Sequence, residues 1–571
     1  MAIRPRRTVE TLEPYKGVTD GRQGFVRMDF NENTTGLFQS ALSDGFGSST
    51  ECFSIYPEYN ELVENLSELF DIESNRLLIT NGSDEAFAVI ASTFVEPGES
   101  VALLSRPSFV MISHSLQIAG AKLQEISVLP ELEFDLKEIE LALARGAHLA
   151  IFASPDNPTG ALLSVDTVTK WCSRFPDTLF VIDEAYSEYA GVSMLPLLAS
   201  FDNLLIVKTF SKAWALAGLR LGVILGNAGL ISYLKLVRSP YSVNAIAVSA
   251  AQRIFSQKAL VMKFAKEAMQ RKDTLIEGLT ERGYKVKRGS ANFFLVNVGI
   301  QAERFSSYLR ELGVLVRNRS EGEIAPNNPL WGKVRVSIGT EEENKRFLEA
   351  VSLFNRSHAI AFDLDDTLVD TTDSYDRVVT ELVESFSGIP LAPCELANVR
   401  IGGGFNDDWD TTVELLKRRG INISREEIEE AGLKIYFAVA PQTETLLCDL
   451  DFLKSLSKRH PLFIVTGRSR SEYEAIWGDT FKGICEKVYC QSDVPGLAPK
   501  PAPDYLLAVA RDFDLSHCIY IGNSVDDMRS ATAARMTGIG ITSTAPAEVL
   551  RNVGAQLVIN SLSDLKDIFI L

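Results

Sequence analysis

The chemistry in this 571-residue sequence starts with polar side chains that close apolar runs. Leu204-Leu205-Ile206-Val207 leads into Thr209-Phe210-Ser211-Lys212, and Val181-Ile182 leads into Asp183-Glu184-Ala185-Tyr186. Lys212 thus stands just past a strand, where open α/β sheets place their ligands. Alone it reads as a solvated charge. Asp183 changes that, because a carboxylate at the end of a buried strand is costly unless a cation pairs with it. A protonated pyridine nitrogen is such a cation, and keeping it protonated makes a pyridoxal ring an electron sink for a substrate carbanion.

Two neighbouring segments have bland readings as well as chemical ones. Thr80-Asn81-Gly82-Ser83-Asp84-Glu85 follows the strand Leu77-Leu78-Ile79 and opens an apolar helix. Its free amides suit a phosphate, and a plain N-cap accounts for the same residues. Asp156-Asn157-Pro158-Thr159-Gly160 closes the run Ala150-Ile151-Phe152, where a turn alone explains the proline and glycine.

A second set lies further on. Ile360-Ala361-Phe362 breaks into Asp363-Leu364-Asp365-Asp366, a self-repelling group unless a divalent cation sits there, with a solvated acidic turn as the alternative. Two more apolar runs end in Thr466-Gly467-Arg468 and in Gly522-Asn523-Ser524-Val525-Asp526-Asp527. Between them Lys500-Pro501-Ala502-Pro503-Asp504 opens a helix with proline in its first turn.

The elements that must hold these groups are short Val/Ile/Leu-rich runs alternating with helix-period stretches, the pattern of an α/β protein with a parallel sheet. The first series ends in Val334-Arg335-Val336-Ser337-Ile338 and a helix to Phe354, and Asn355-Arg356-Ser357 leads into a new strand. The expected domains are therefore residues 1–356 and 357–571. A 46% hydrophobic and 23% charged composition is that of a soluble globular protein. The net charge of −18 argues against a nucleic-acid partner. Met1 to Arg7 is basic with no apolar segment behind it, and nowhere do about 18 uncharged apolar residues run together, so a cytoplasmic protein without a membrane span is expected. Seven scattered cysteines without a CxxC pair read as free thiols.

Asn157-Pro158-Thr159-Gly160, Asp183 to Tyr186, Ser211-Lys212 and Gly218-Leu219-Arg220 occur in the order and spacing of fold-type I aminotransferases. With Phe30-Asn31-Glu32-Asn33 and Arg335 to Gly339, the first domain resembles histidinol-phosphate aminotransferase. The resemblance implies a mixed, mostly parallel sheet with a small C-terminal α/β subdomain, and pyridoxal 5'-phosphate linked to Lys212, which also shuttles the proton. It implies Asn157 and Tyr186 on the ring oxygen, Asp183 on the ring nitrogen, and Ser211, Arg220 and the amides near Ser83 and Asp84 on the phosphate. Phe109 falls where the family stacks an aromatic ring on the cofactor, although a core phenylalanine is an equal reading. Tyr56 would reach the partner subunit's cofactor, implying a homodimer. Arg335, assisted by Arg317, would grip a carboxylate or phosphate of the substrate. Two positions depart from the family: Thr34 stands for the usual proline and Lys208 for the usual arginine.

The second domain resembles the haloacid dehalogenase-like superfamily, which implies a Rossmann-like sheet with a helical cap, about 373–455. In that family Asp363 is the nucleophile and Asp365 the general acid/base, Thr466 binds a phosphoryl oxygen and Lys500 neutralises charge. Mg²⁺ would bind Asp363, the carbonyl of Asp365 and the last motif, which normally begins Gly-Asp. Here Asn523 stands for that aspartate, with Asp526 and Asp527 to compensate, so weakened Mg²⁺ affinity is expected. Together the resemblances imply small-molecule substrates: transamination between imidazole-acetol phosphate and histidinol phosphate, then dephosphorylation. The alternative is another aromatic or phosphorylated amino acid, with a second domain of separate substrate or regulatory role.

Overall fold

A computed structural model of the chain describes residues 22–38, 55–320, 328–402, 407–491 and 493–569, so the basic N-terminus lies outside it. The chain divides into two compact units, Met1–Thr280 with Val286–Leu348, and Glu281–Lys285 with Glu349–Leu571. The division falls inside one helix, Glu341–Ser357, which is followed at once by the strand His358–Phe362. Residues 355–357, expected as a connector, are the last turn of that helix, which the uninterrupted run without Gly or Pro permits.

The large sheet of the first unit contains β1 (Leu77–Thr80), β2 (Val101–Arg106), β3 (Lys122–Ser127), β4 (Leu149–Ala153), β5 (Leu179–Asp183), β6 (Leu204–Thr209) and β7 (Gly222–Gly226). Their spatial order is β1-β7-β6-β5-β4-β2-β3, and β7 alone runs antiparallel to its neighbours. Strands β4 to β6 are apolar up to their last residues because both faces are covered: Phe180 and Ile182 enter one core, Val181 the other. The consequence is positional. The turns after β1, β4, β5 and β6, and the approach to β7, all emerge at one edge of the sheet.

A smaller antiparallel sheet holds β8 (Val286–Lys287), β9 (Phe293–Asn297), β10 (Arg317–Asn318) and β11 (Lys333–Ser337) in the order β10-β11-β9-β8. Its register sets Arg317 directly opposite Arg335.

In the second unit β12 (His358–Phe362), β13 (Leu462–Val465), β14 (Lys487–Tyr489), β15 (His517–Gly522), β16 (Thr537–Ile541) and β17 (Leu557–Ile559) form a wholly parallel sheet, ordered β14-β13-β12-β15-β16-β17. Asp363 therefore leaves the middle of the sheet, flanked by the ends of β13 and β15. A two-stranded ribbon, Val369–Asp370 with Thr445–Leu446, brackets the cap, whose helices include Arg377–Ser387, Asp408–Arg418 and Arg425–Thr443. The cap has its own core around Tyr375, Trp409 and Tyr436. Its C-terminal limit falls at the ribbon, about ten residues before the expected 455, because Leu450–Ser457 is a helix beyond the returning strand.

Gly222 shows how tightly the first site is built. A Cβ there would lie 2.7 Å from the backbone carbon of Gly82, at the start of the helix Gly82–Phe94. Gly222→Ala should cost about 1–3 kcal/mol through this overpacking, read as a lower midpoint in chemical denaturation.

Candidate active sites

The first cavity collects Lys212, Asp183, Asn157, Tyr186, Arg220 and Arg335 from the sheet edge and the small sheet. Asp183 is 3% exposed, and burial raises its carboxyl from the usual range to about 7. Its Oδ1 accepts from the amide of Ala185 at 3.0 Å, and among the described residues no cation pairs with it. Lys212 Nζ donates to the carbonyl of Phe30 at 3.0 Å. Burial, then Arg335, lowers its amine to about 8, with Glu32 opposing. The Tyr186 hydroxyl accepts from Asn31 Nδ2 at 2.9 Å, and burial raises it to about 12.

At the other end Arg220 Nη2 meets Asp84 Oδ2 at 2.7 Å, and Nη1 reaches Ser211 Oγ at 3.5 Å. Gly82 (φ +77°) lies against this arginine: a Cβ would stand 2.7 Å from Nη2. These features fit pyridoxal phosphate. Asp183 lacks a cation, Lys212 is an amine of lowered basicity, and a helix N-terminus with Ser83, Ser211 and Arg220 can receive a phosphate. Ser83, Asp84 and Phe109 line the same cavity. Tyr56 does not: it is 73% exposed and stacked on Tyr241 with ring centroids 4.4 Å apart.

Arg335 is buried and held from two sides, Nη1 to Asn157 Oδ1 at 2.5 Å and Nη2 to the Asp29 carbonyl at 2.5 Å. The register sets Arg317 against Arg335, two like charges directly opposite on paired strands. Arg319 lines the cavity too.

The second cavity brings together Asp363, Asp365, Arg468, Asn523 and Asp526 with the cap residues Tyr375 and Trp409. Asp363 Oδ1 accepts from Lys500 Nζ at 2.5 Å, and Lys500 also meets Asp527 Oδ1 at 2.9 Å. Burial raises the Asp363 carboxyl while Lys500 opposes. The Thr367 hydroxyl lies 3.4 Å from Asp363 Oδ2 and 3.2 Å from Asn523 Oδ1, so those oxygens point to one place. Asn523 Nδ2 donates to Thr544 Oγ1 at 2.6 Å, which keeps its oxygen turned that way. Thr466 Oγ1 donates to Asp365 Oδ2 at 3.3 Å.

Asp527, expected among the metal ligands, has both oxygens occupied. Oδ1 takes Lys500 and the Tyr520 hydroxyl, and Oδ2 takes the amide and hydroxyl of Ser524. Among the described residues no three acidic, His or Cys side chains form a metal cluster. A Mg²⁺ ion still fits, because two carboxylates (Asp363 and Asp526) with the amide oxygen of Asn523, a backbone carbonyl and waters are enough for this ion.

The family profile "Aminotransferase class I and II" matches residues 25–351. The chain belongs to that aminotransferase family. The histidinol-phosphate aminotransferase 1 of Carboxydothermus hydrogenoformans is 33% identical over 328 residues, spanning 57% of this chain and 91% of its own. The solved histidinol-phosphate aminotransferase of Sinorhizobium meliloti, in complex with pyridoxal-5'-phosphate, shares the fold with a TM-score of 0.54 at 21% identity, over 61% of this chain and 97% of that one. The Thermus thermophilus aspartate aminotransferase double mutant does so at a TM-score of 0.51 and 24% identity, over 61% and 99%. Residues 358–535 match the haloacid dehalogenase-like hydrolase family, so a hydrolase domain of that type follows the aminotransferase domain.

In the aminotransferase domain neither family departure reaches the cavity. Lys208 is buried in ion pairs with Glu184 (3.0 Å) and Glu188 (3.3 Å), and Thr34 Oγ1 donates to Glu343 Oε2 at 2.8 Å. Arg319 lines the cavity and Asn31 donates to Tyr186, two roles beyond those expected from the sequence. The spacing Arg317-Asn318-Arg319 was a usable signal for the first, since alternate residues of a strand share a face. Asn31 gave no such signal: it adopts a left-handed backbone (φ 55°) and exchanges hydrogen bonds with Ser337, distant in sequence.

A lysine titrating near 8 is about one-quarter neutral at about pH 7.5, against about one in a thousand for an ordinary lysine. Acylation of Lys212 in cofactor-free protein should therefore rise through pH about 8, more than two units below an ordinary lysine, whereas Lys272, which burial lowers to about 7, should rise earlier still. Peptide mapping after labelling across pH checks it.

Proposed function

We propose that the chain is bifunctional: a pyridoxal-phosphate-dependent, glutamate-using aminotransferase acting between imidazole-acetol phosphate and histidinol phosphate, followed by a Mg²⁺-dependent phosphatase that releases histidinol. The observation that carries the first half is the arginine face of the small sheet. Arg317 and Arg335 lie opposite one another over the cavity that contains Lys212, and Arg319, just past the strand, lines the same cavity. That charge suits a carboxylate in one half-reaction and a phosphate in the other.

When bound, pyridoxal phosphate supplies an electron sink for the substrate carbanion. Asp183 would keep the proton on the ring nitrogen. Asn157 and Tyr186 would hold the ring oxygen, Phe109 would pack on the ring, and Ser83, Asp84, Ser211 and Arg220 would form the phosphate end. Lys212 Nζ would take the proton from the substrate carbon and hold it for return. Arg335, fixed by Asn157 and Asp29, orients the substrate so that the breaking C–H bond faces that amine. We also propose a homodimer, with exposed Tyr56 reaching the partner's cavity.

In the phosphatase domain an Asp363 carboxylate oxygen bonds to phosphorus as the ester P–O bond breaks, and Asp365 gives its proton to the departing alcohol oxygen. Asp365 then takes a proton from water, whose oxygen attacks phosphorus and frees Asp363 and phosphate. Lys500, supported by Asp527, and Thr466 hold the phosphoryl oxygens. Asp363, the Asp365 carbonyl, Asn523 and Asp526 would hold Mg²⁺, which neutralises phosphoryl charge. The product of the first site is a phosphate monoester, and covalent attachment raises its phosphatase's local concentration.

Imidazole-acetol phosphate, glutamate and Mg²⁺ supplied together should yield histidinol and phosphate. Asp363→Asn should stop at histidinol phosphate with transamination intact. Failure to aminate this substrate in preference to phenylpyruvate contradicts the first assignment; phosphate release unchanged in Asp363→Asn contradicts the second. Asn523→Asp adds a charged ligand and should lower the Mg²⁺ concentration for half-maximal hydrolysis by about tenfold or more, measured by metal titration.

A further inference from the structure

Arg468 is the most heavily committed side chain in the phosphatase cavity, and it lies two residues past the phosphate-binding Thr466. It is 3% exposed. Nε and Nη2 both donate to Asp365 Oδ1, at 2.8 and 2.6 Å. Nη1 and Nη2 also donate to the two oxygens of Glu444, each at 3.0 Å, and Nη1 to the Tyr436 hydroxyl at 2.6 Å. The guanidinium lies 5.2 Å from the centre of the Tyr375 ring.

Glu444 is fixed in its turn. It accepts from Trp477 Nε1 at 2.6 Å, Ser374 Oγ at 2.9 Å and Tyr436 at 3.1 Å, and its side chain is fully buried. It follows the last residue of the cap helix Arg425–Thr443 and precedes the returning ribbon strand. A buried guanidinium between two carboxylates, with each partner hydrogen-bonded, cannot turn without stranding a charge. Its hold on Asp365 is therefore rigid and one-sided: Oδ1 is pinned, and among the described residues Oδ2 has only the long contact to Thr466.

We propose that Arg468 is a positioning residue for phosphate-ester hydrolysis. By pinning Oδ1 of Asp365 from a base anchored on Glu444 and Tyr436, it presents Oδ2 to the leaving oxygen. The inference rests on the reading of Asp365 as the general acid. It ties the acid's aim to the point where the cap rejoins the core.

A residue that acts by aiming an acid matters most where the leaving group needs the proton. The test compares glycerol phosphate, whose alkoxide needs protonation, with p-nitrophenyl phosphate, whose phenolate leaves without it. Arg468→Lys keeps the charge but loses the fork that grips one oxygen twice. It should lower kcat on glycerol phosphate on the order of 100-fold and on p-nitrophenyl phosphate by less than about tenfold. In an Asp365→Asn background the same change should show no such selectivity. Glu444→Gln, a milder variant at the anchor, should show the same selectivity at smaller size, and it decides the matter if Arg468→Lys does not fold. Equal losses on both esters would mean that Arg468 only fastens the cap, and would overturn the proposal. Hydrolysis of neither ester by the unaltered chain with Mg²⁺ would instead overturn the phosphatase reading itself.

Discussion

A carboxylate at the end of a buried parallel strand needs a positive partner, and both halves of this chain are arranged around that need. Asp183 closes β5 with a single backbone hydrogen bond and a carboxyl raised to about 7. Asp363 follows β12, where Lys500 supplies a cation and the Thr367 hydroxyl lies within reach of its other oxygen. Parallel strands make the arrangement economical, because every neighbouring strand ends at the same edge and delivers its turn to the same point.

The cations of the two sites are themselves held from behind. Lys500 leans on Asp527, Arg335 on Asn157 and Asp29, and Arg468 on Glu444. The two ion pairs, Lys500 with Asp527 and Arg468 with Glu444, are buried, so each is stable only while complete. In the second site carboxylate, lysine and arginine thus form chains of fixed geometry.

Much of this was legible in the sequence, for a physical reason. Asp183, Lys212, Asp363 and Thr466 stand at the ends of apolar runs, and a strand's end is marked by the change from apolar to polar residues. What could not be read depends on register and on partners distant in the chain. Nothing local says that Arg317 faces Arg335, that Arg468 meets Glu444, or that the oxygens of Asp527 are filled by Tyr520, Ser524 and Lys500. Nor does the sequence show that helix and strand meet at Ser357 and His358 with no loop between them.

The most direct test of this electrostatic account is the nitrogen NMR shift of isotopically labelled pyridoxal phosphate bound to the chain, followed across pH. The account predicts a ring nitrogen that stays protonated well above the pH at which the free cofactor loses that proton, and that becomes neutral in Asp183→Asn. A neutral ring nitrogen in the unaltered protein would contradict it.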